Sequence, residues 1–210
     1  MVAMSIAFAT PMSAQVVYDK GTDSLTIFGN TDNLQLALVQ RAFKENHVGT
    51  IYMKGNGGLF YTGLALGRAI RESGARVIIP TGTECISACA FAAIASEEVH
   101  VDGALLFHRP YMQLVPTNAT IEEISGYTGG GYLDGAMYIV EMGYPLSWVK
   151  QMIVSTSPCL FIKVVDEAQL QDFKEGRGSF MIKDDRCLPQ VPVTPSKDSG
   201  YGPGYVPNVQ

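Results

Sequence analysis

The chain has 210 residues, of which 47% are hydrophobic and 17% charged, and its formal net charge is −5. This length and hydrophobicity allow one substantial core and therefore predict a single domain. The acidic balance and the scattered lysines and arginines argue against nucleic-acid binding, and no apolar run reaches the length of about 18 residues that a membrane span requires.

Residues 1–14 have the composition of a processed export signal. Met1 to Thr10 is short and apolar, and small residues up to Ala14 offer a cleavage point for a signal peptidase. We therefore expect a signal-like segment over 1–14 and a periplasmic or secreted protein. Because no positively charged residue precedes the apolar run, an ordinary first strand in a cytoplasmic protein is the alternative.

From residue 15 onward, the chain alternates predicted strands with predicted helices. Two strands joined by a polar turn come first, followed by a capped helix, a buried strand, a second helix and a further strand. This order predicts an α/β fold with a largely parallel sheet and right-handed crossovers. The segments are Val16 to Tyr18, Leu25 to Phe28, Asp32 to Asn46, Thr50 to Met53, Tyr61 to Ser73 and Arg76 to Ile79.

Gly57 and Gly58 follow the third predicted strand. A glycine pair in this position lets the backbone approach a ligand closely and turns N–H groups outward, as an oxyanion site requires. A plain glycine turn has the same sequence. The spacing is not that of a dinucleotide fingerprint or a P-loop, so the pair alone does not decide between these two interpretations.

Ser87 and His108 are the candidate catalytic side chains. Cys85 to Ala93 has the pattern of a buried helix that opens with the serine, and Ala104 to Phe107 has that of a short buried strand ending at the histidine. The loops beyond the carboxyl ends of parallel strands share one edge of the sheet, so the two side chains are expected to meet there. A hydroxyl and an imidazole in contact are a nucleophile and its general base.

The same edge is expected to bind the oxyanion of an acyl-transfer reaction. The N–H groups of Gly58 and of Ala88, the residue after the serine, would donate to it, and the positive end of the following helix would add to their effect. The histidines and cysteines do not have the spacing of metal ligands, and His100 is expected on the exposed face of a strand. We therefore expect no metal and no cofactor.

These segments resemble the Clp protease proteolytic subunit family of the ClpP/crotonase superfamily. The likeness lies in Gly57-Gly58, in Ser87 to Phe91 and in Phe107 to Pro110, which follow in the family's order at similar spacing. Asn56 stands where the family has proline, and Arg109 stands where it has glutamine. The Cys-x-Ser-x-Cys pattern around the serine resembles the exported ClpP-like proteins of bacteria.

The resemblance implies a fold and a set of roles. The fold is a ClpP/crotonase-like spiral of ββα units with a protruding helical segment, which we assign to residues 15–188. Ser87 would be the nucleophile and His108 the base, with the oxyanion hole at Gly58 and Ala88.

The acidic third member of the family's triad has no evident counterpart. The family places an aspartate shortly before a segment that Asp166 to Ala168 resembles, but Ser155 to Leu160 contains no carboxylate. A hydroxyl of Thr156 or Ser157, a backbone carbonyl, or Asp134 would have to orient the imidazole instead. Removing the orienting acid from a triad costs about 10⁴ in kcat, so a Ser-His dyad and a weak or inactive enzyme both stay open.

The sequence beyond His108 predicts a loop, two helices and a tail. Tyr127 to Gly131 is glycine-rich and predicts either a flexible loop beside the substrate or a simple hinge. The helices are expected over Tyr132 to Met142 and Leu146 to Val154, and residues 189–210 are expected to be disordered. One face of the first helix would carry Leu133, Ala136, Met137 and Val140.

The four cysteines suit an oxidising compartment because their number is even. We expect Cys85 and Cys89 to be two small buried residues in a tightly packed helix. Cys159 and Cys187 flank the C-terminal part of the domain and form the pair that we expect to be bridged.

The favoured function is a serine peptidase that cleaves peptides or proteins by acyl transfer. The alternatives are a catalytically silent ClpP-like scaffold or partner-binding protein and a crotonase-like enzyme that holds an acyl thioester. Clp subunits form rings that depend on an unfolding ATPase. An exported protein has no ATP supply, so no ATPase partner is expected, whereas assembly into a homo-oligomer stays open.

Overall fold

The computed structural model describes residues 15–110, 120–150, 156, 160–175, 177 and 181–183. They form a mixed α/β fold. The strands are β1 Gln15–Asp19, β2 Ser24–Thr31, β3 Thr50–Gly58, β4 Arg76–Ile79, β5 Glu84–Ile86, β6 Val99–Val101, β7 Ala104–Phe107, β8 Leu160–Val164 and β9 Met181–Lys183. The helices are α1 Asn33–Glu45, α2 Phe60–Ser73, α3 Ala88–Ala93, α4 Ile121–Glu141, α5 Leu146–Lys150 and α6 Glu167–Lys174.

The sheet divides at β3. The first half of β3 pairs with β4, with Ile51 opposite Val77, and its second half pairs with β5, with Gly55 opposite Cys85. The first branch continues to β6, and the second continues to β7, β8 and β9. Pairs from β2 to β7 are parallel, whereas β1, β8 and β9 join antiparallel. The predicted largely parallel sheet is therefore confirmed, and the carboxyl ends of β3, β5 and β7 lie side by side.

Local signals in the sequence set the ends of the first two helices. The carboxylate of Asp32 accepts a hydrogen bond from the N–H of Gln35 at 2.8 Å, which caps α1 as predicted. Gly74 ends α2 in the left-handed conformation, with φ of 68°.

The predicted helix over Cys85 to Ala93 is wrong in its first part. Glu84–Ile86 is strand β5, and α3 begins only at Ala88. Cys85 and Ile86 are both buried, so the apolar run has no periodicity that would separate a short strand from a helix. Pairing with β3 and β7 makes this segment a strand.

Helix α4 differs from the prediction in extent and in orientation. It runs through Tyr127 to Gly131, where a loop or hinge was expected. Leu133, Met137 and Val140, which were predicted to share one face, are all more than half exposed, whereas Tyr138 and Ile139 are fully buried. In the described part of the chain, neither this helix nor another is apolar enough over a sufficient length to cross a membrane.

Close packing against α2 and α3 selects the buried face of α4. The hydroxyl of Tyr138 donates to the carbonyl of Phe91 at 2.8 Å, and a Cβ on Gly67 would collide with that hydroxyl. Arg68 forms an ion pair with Glu141 at 2.7 Å. That pairing lowers the pKa of the Glu141 carboxyl and raises the pKa of Arg68.

Replacing Tyr138 by phenylalanine tests this anchor. Tyr138→Phe leaves the ring in place but removes the hydrogen bond to the buried Phe91 carbonyl, so the free energy of unfolding in urea falls by about 1–2 kcal/mol. The matched control is Tyr132→Phe on the half-buried part of the same helix, which changes stability by about 0.5 kcal/mol or less. Equal losses in the two variants would contradict the role of the buried hydroxyl.

His100 joins β6 to α6 through two carboxylates. The side chain is 44% exposed, which confirms the predicted exposed strand face, and its Nε2 lies 2.9 Å from Glu98. Its Nδ1 lies 3.3 Å from Glu167. The hydrogen bond with Glu98, and then that with Glu167, raises the pKa of His100.

The raised pKa of His100 determines the direction in which its contribution to stability changes with pH. A raised folded-state pKa contributes stability that is fully present below the unfolded-state pKa and is lost as pH rises through the folded-state value. The stability advantage of wild type over His100→Asn should therefore shrink on going from about pH 5.5 to about pH 8.5. An NMR titration that gives His100 a pKa at or below about 6.5 would contradict the pairing.

Candidate active site

Ser87 and His108 lie at the ends of neighbouring parallel strands. Ile86, the last residue of β5, is opposite Leu106 of β7, and the N–H of Ser87 donates to the Leu106 carbonyl at 2.8 Å. Ser87 follows β5 directly, and His108 follows β7 directly. The register of β5 and β7 therefore places Ser87 and His108 at neighbouring strand ends on one edge of the sheet.

The backbone turns sharply at Ser87. Its φ of 55° and ψ of −122° lie outside the ordinary regions, and Asp23 is the other non-glycine residue with positive φ in the described chain. Such a conformation costs about 1–3 kcal/mol and persists only when the surroundings hold it. Ser87 is half-buried and makes no side-chain cap to α3, which begins at the next residue. Ser87 therefore forms a sharp corner between β5, which ends at Ile86, and α3, which begins at Ala88.

Gly57 holds β3 against this corner. A Cβ built on it would lie 2.7 Å from the Ile86 carbonyl oxygen, 2.7 Å from the Cβ of Ser87 and 3.1 Å from the nitrogen of Ala88. Its φ of 89° is also a conformation that side chains rarely adopt. Both the close contacts and the positive φ therefore require glycine at position 57. The sequence predicted only a turn or an oxyanion site here, not this contact with the serine.

The N–H groups of Gly58 and Ala88 both lie beside Ser87. Thr31 of β2 is opposite Gly58 and accepts a hydrogen bond from the N–H of Leu59 at 2.8 Å. Because peptide groups alternate in direction along a parallel strand, the N–H of Gly58 points to the other edge, toward β5. Ala88 supplies the first N–H of α3, which needs no partner within the helix. These two N–H groups are the candidates for an oxyanion site.

His108 is held in one orientation. It is 5% exposed, and its Nδ1 lies 2.8 Å from the carbonyl oxygen of Arg109. Because a carbonyl only accepts, Nδ1 carries the proton in this contact, and Nε2 of the neutral ring is then the acceptor. The ring also packs edge-on against Phe161, with centroids 4.9 Å apart.

Thr156 holds the backbone of Arg109, the residue whose carbonyl orients the imidazole. Its Oγ1 accepts a hydrogen bond from the N–H of Arg109 at 2.7 Å, and the threonine is only 2% exposed. Thr156 therefore acts on His108 through the backbone of Arg109. The sequence left a threonine and a backbone carbonyl as separate alternatives, and both belong to one chain of hydrogen bonds. Arg109 was noted only as a departure from the family pattern.

The other two predicted orienting residues are placed differently. Asp134 is exposed on α4, and its charge contributes to the raised pKa of Arg68. Ser157 lies outside the described residues.

Cys85 and Cys89 form a disulfide bridge across the serine. Their burial was predicted correctly, at 0% and 3% exposure, but their assignment as two unbridged cysteines in one helix is wrong. The corner at Ser87 folds the start of α3 back over β5 and brings the two Cα atoms to 5.3 Å, within the range of a bridge. The residue spacing alone carried no sign of this corner. Cys159 and Cys187 lie outside the described residues.

A groove lies at the other end of β5 and β7 from Ser87 and His108. It has a volume of about 990 Å³, and side chains of both charges and an amide line it, including Lys54, Asn56, Glu84, Asp102 and Lys163. On the imidazole side, Phe161 contacts His108 and belongs to a small buried apolar cluster with Ile86, Ala104 and Leu106.

Comparisons with known proteins show the fold. No family model matches the sequence, and no curated protein matches it. Two solved structures of the 1510-N membrane-bound stomatin-specific protease are similar to this chain at 15% identity. A serine-to-alanine variant covers 70% of this chain and 73% of its own, with a TM-score of 0.49. A lysine-to-alanine variant with a substrate peptide covers 70% and 69%, with a TM-score of 0.51.

This likeness establishes the architecture and no more. The mixed α/β arrangement with its mostly parallel sheet is the ClpP/crotonase-like fold, as the sequence resemblance implied.

Alanine at Gly57 tests the close approach of β3 to the serine. Gly82 is the matched control, because its φ of 72° is also positive but a Cβ there would meet nothing within 4 Å. Gly82→Ala costs about 1–2 kcal/mol of unfolding free energy from backbone conformation alone. Gly57→Ala adds a collision with Ile86 and Ser87 and costs about 1–3 kcal/mol more. Equal unfolding free energies for the two variants would show that β3 does not press on the corner.

Proposed function

We propose that this chain is a ClpP-like serine endopeptidase in which Ser87 is the nucleophile and His108 the general base. The observation that supports the proposal is the register of β5 and β7, which end side by side just before the positive-φ Ser87 and the buried His108.

The reaction follows from these positions. His108 Nε2 takes the proton of the Ser87 hydroxyl as its oxygen attacks the carbonyl carbon of a peptide bond. The oxygen of the tetrahedral intermediate accepts hydrogen bonds from the N–H groups of Gly58 and Ala88, and losing one such donor typically costs about 10²–10³ in rate. The imidazolium then protonates the leaving amine, and water repeats the sequence to release the acyl group.

The peptide carbonyl of Arg109 takes the position that an aspartate has in a triad. It accepts from Nδ1 and so selects the tautomer in which Nε2 is the base, which is one of the two tasks of the acid. It has no full negative charge, so it stabilises the imidazolium less. We therefore expect slow turnover compared with a complete triad.

A peptide or protein is the proposed substrate. The second similar structure was determined with a substrate peptide. The bridge between Cys85 and Cys89 supports a periplasmic or secreted location, because such bridges persist in oxidising compartments. The domain over 15–188 would then work without an ATPase.

Labelling with a fluorophosphonate probe tests the nucleophile. Folded wild type should form one adduct that mass spectrometry assigns to Ser87, and Ser87→Ala should form none. The matched control is Ser147→Ala at the exposed start of α5, which should be labelled at the wild-type rate. Circular dichroism establishes that each variant is folded. Absence of an adduct on folded wild type would refute the proposal.

The pH dependence of the same reaction tests the base. Protonation of His108 removes the acceptor at Nε2, so the labelling rate should fall as the pH decreases from about 8 to about 5. His108→Gln should react slowly at every pH. A wild-type rate that is constant over this interval would count against His108.

Two substitutions at Thr156 test the hydrogen-bond chain. Thr156→Ser keeps the acceptor for the Arg109 N–H and should label at nearly the wild-type rate. Thr156→Val has nearly the same shape but leaves that N–H without its acceptor, so the rate should fall about five- to tenfold and its pH profile should move. If both variants retain the wild-type rate and profile, Thr156 does not position the imidazole.

A further inference from the structure

The disulfide bridge encloses Ser87 symmetrically. Cys85 lies two residues before the serine in β5, and Cys89 lies two residues after it in the first turn of α3. The bridge therefore closes a five-residue ring around the single residue at which the backbone turns from strand to helix. Neither end of this ring can rotate independently of the other.

Several contacts besides the bridge act on the backbone of Ser87. Its N–H donates to the carbonyl of Leu106, its carbonyl accepts from the N–H of Phe91, and Gly57 lies against its Cβ. Helix α3 has only six residues, all of them buried, so its position depends on tertiary contacts and on the bridge rather than on helix formation alone. A φ of 55° at a serine would relax toward an ordinary region if the start of α3 could shift.

Both cysteines belong to the main core. Cys85 is 0% exposed and Cys89 is 3% exposed, so a dithiol or glutathione in solution has little access to either sulfur. Exposed, strained bridges are the ones that serve as redox switches, whereas buried bridges are structural. This bridge is therefore a permanent restraint.

From these observations we infer that the Cys85–Cys89 bridge is a positioning element that holds Ser87 in its positive-φ conformation and aims the hydroxyl at the site. The inference rests on the proposed role of Ser87 as nucleophile. Attack by a serine hydroxyl depends strongly on the position of that hydroxyl, and the bridge restrains this position covalently.

The test compares bridged and opened forms of the same protein. Wild type is refolded from denaturant with or without a water-soluble phosphine. The phosphine and one water molecule reduce the bridge to two thiols and yield the phosphine oxide. Thiol alkylation and mass spectrometry establish the state of each sample. Cys85→Ala/Cys89→Ala provides an independent form without the bridge.

Fluorophosphonate kinetics are the first readout. Opening the bridge should lower the maximal labelling rate at least about tenfold, as expected when a strained residue relaxes. The probe concentration at half-saturation should change less than about twofold, because the bridge acts on the position of the hydroxyl rather than on probe binding. Equal rates in both folded forms would overturn the inference and leave the proposed function standing. Absence of labelling in the bridged form would overturn both.

Ser87→Gly supplies a second readout that needs no activity. Glycine tolerates positive φ, so this substitution relieves the strain only where the bridge maintains it. The change in melting temperature that Ser87→Gly causes should be about 3–6 °C more positive in the bridged protein than in the opened protein. Ser87→Ala, which keeps a Cβ, should show no such difference. An equal shift in both forms would contradict the inference, as would failure of both bridge-free forms to fold.

Discussion

The close approach of β3 to the corner at Ser87 is the constraint on which the rest of the structure depends. Gly57 permits it, because a Cβ there would collide with Ile86 and Ser87. The approach aligns the carboxyl ends of β3 and β5, and the pairing of β5 with β7 adds His108 to the same edge. It also brings Gly57 against the nitrogen of Ala88. One backbone contact therefore holds together the segments that carry the candidate site.

In the described part of the chain, backbone and hydroxyl groups order the imidazole of His108. His108 is buried against Phe161 and donates to Arg109, whose own N–H is held by Thr156. These contacts fix the tautomer and the ring plane, as an aspartate would. They supply no charge to stabilise the imidazolium, which separates orientation from electrostatic stabilisation in a single site. In the proposed site, the disulfide bridge would restrain Ser87 as these hydrogen bonds restrain His108.

The sequence predicted those parts of the fold that depend on neighbouring residues. The cap at Asp32 was correct, and the parallel sheet followed from the order of the elements. The sequence did not predict the features that depend on tertiary contacts. The strand at Glu84–Ile86 is too short for periodicity, and the buried face of α4 is chosen by the partner of Tyr138 rather than by hydrophobicity. For the site, the sequence identified the residue types and their shared edge, but not the positive φ of Ser87, because a dihedral angle has no signal in spacing.

The most direct test of the central claim is a crystal structure of the protein after reaction with a fluorophosphonate. The account predicts a phosphonyl group on Ser87 whose oxygen lies about 2.7–3.1 Å from the nitrogens of Gly58 and Ala88. It also predicts that Nε2 of His108 lies within about 3.2 Å of Oγ of Ser87. A phosphonyl oxygen that points into solvent, or an imidazole with Nε2 turned away from the serine, would contradict it.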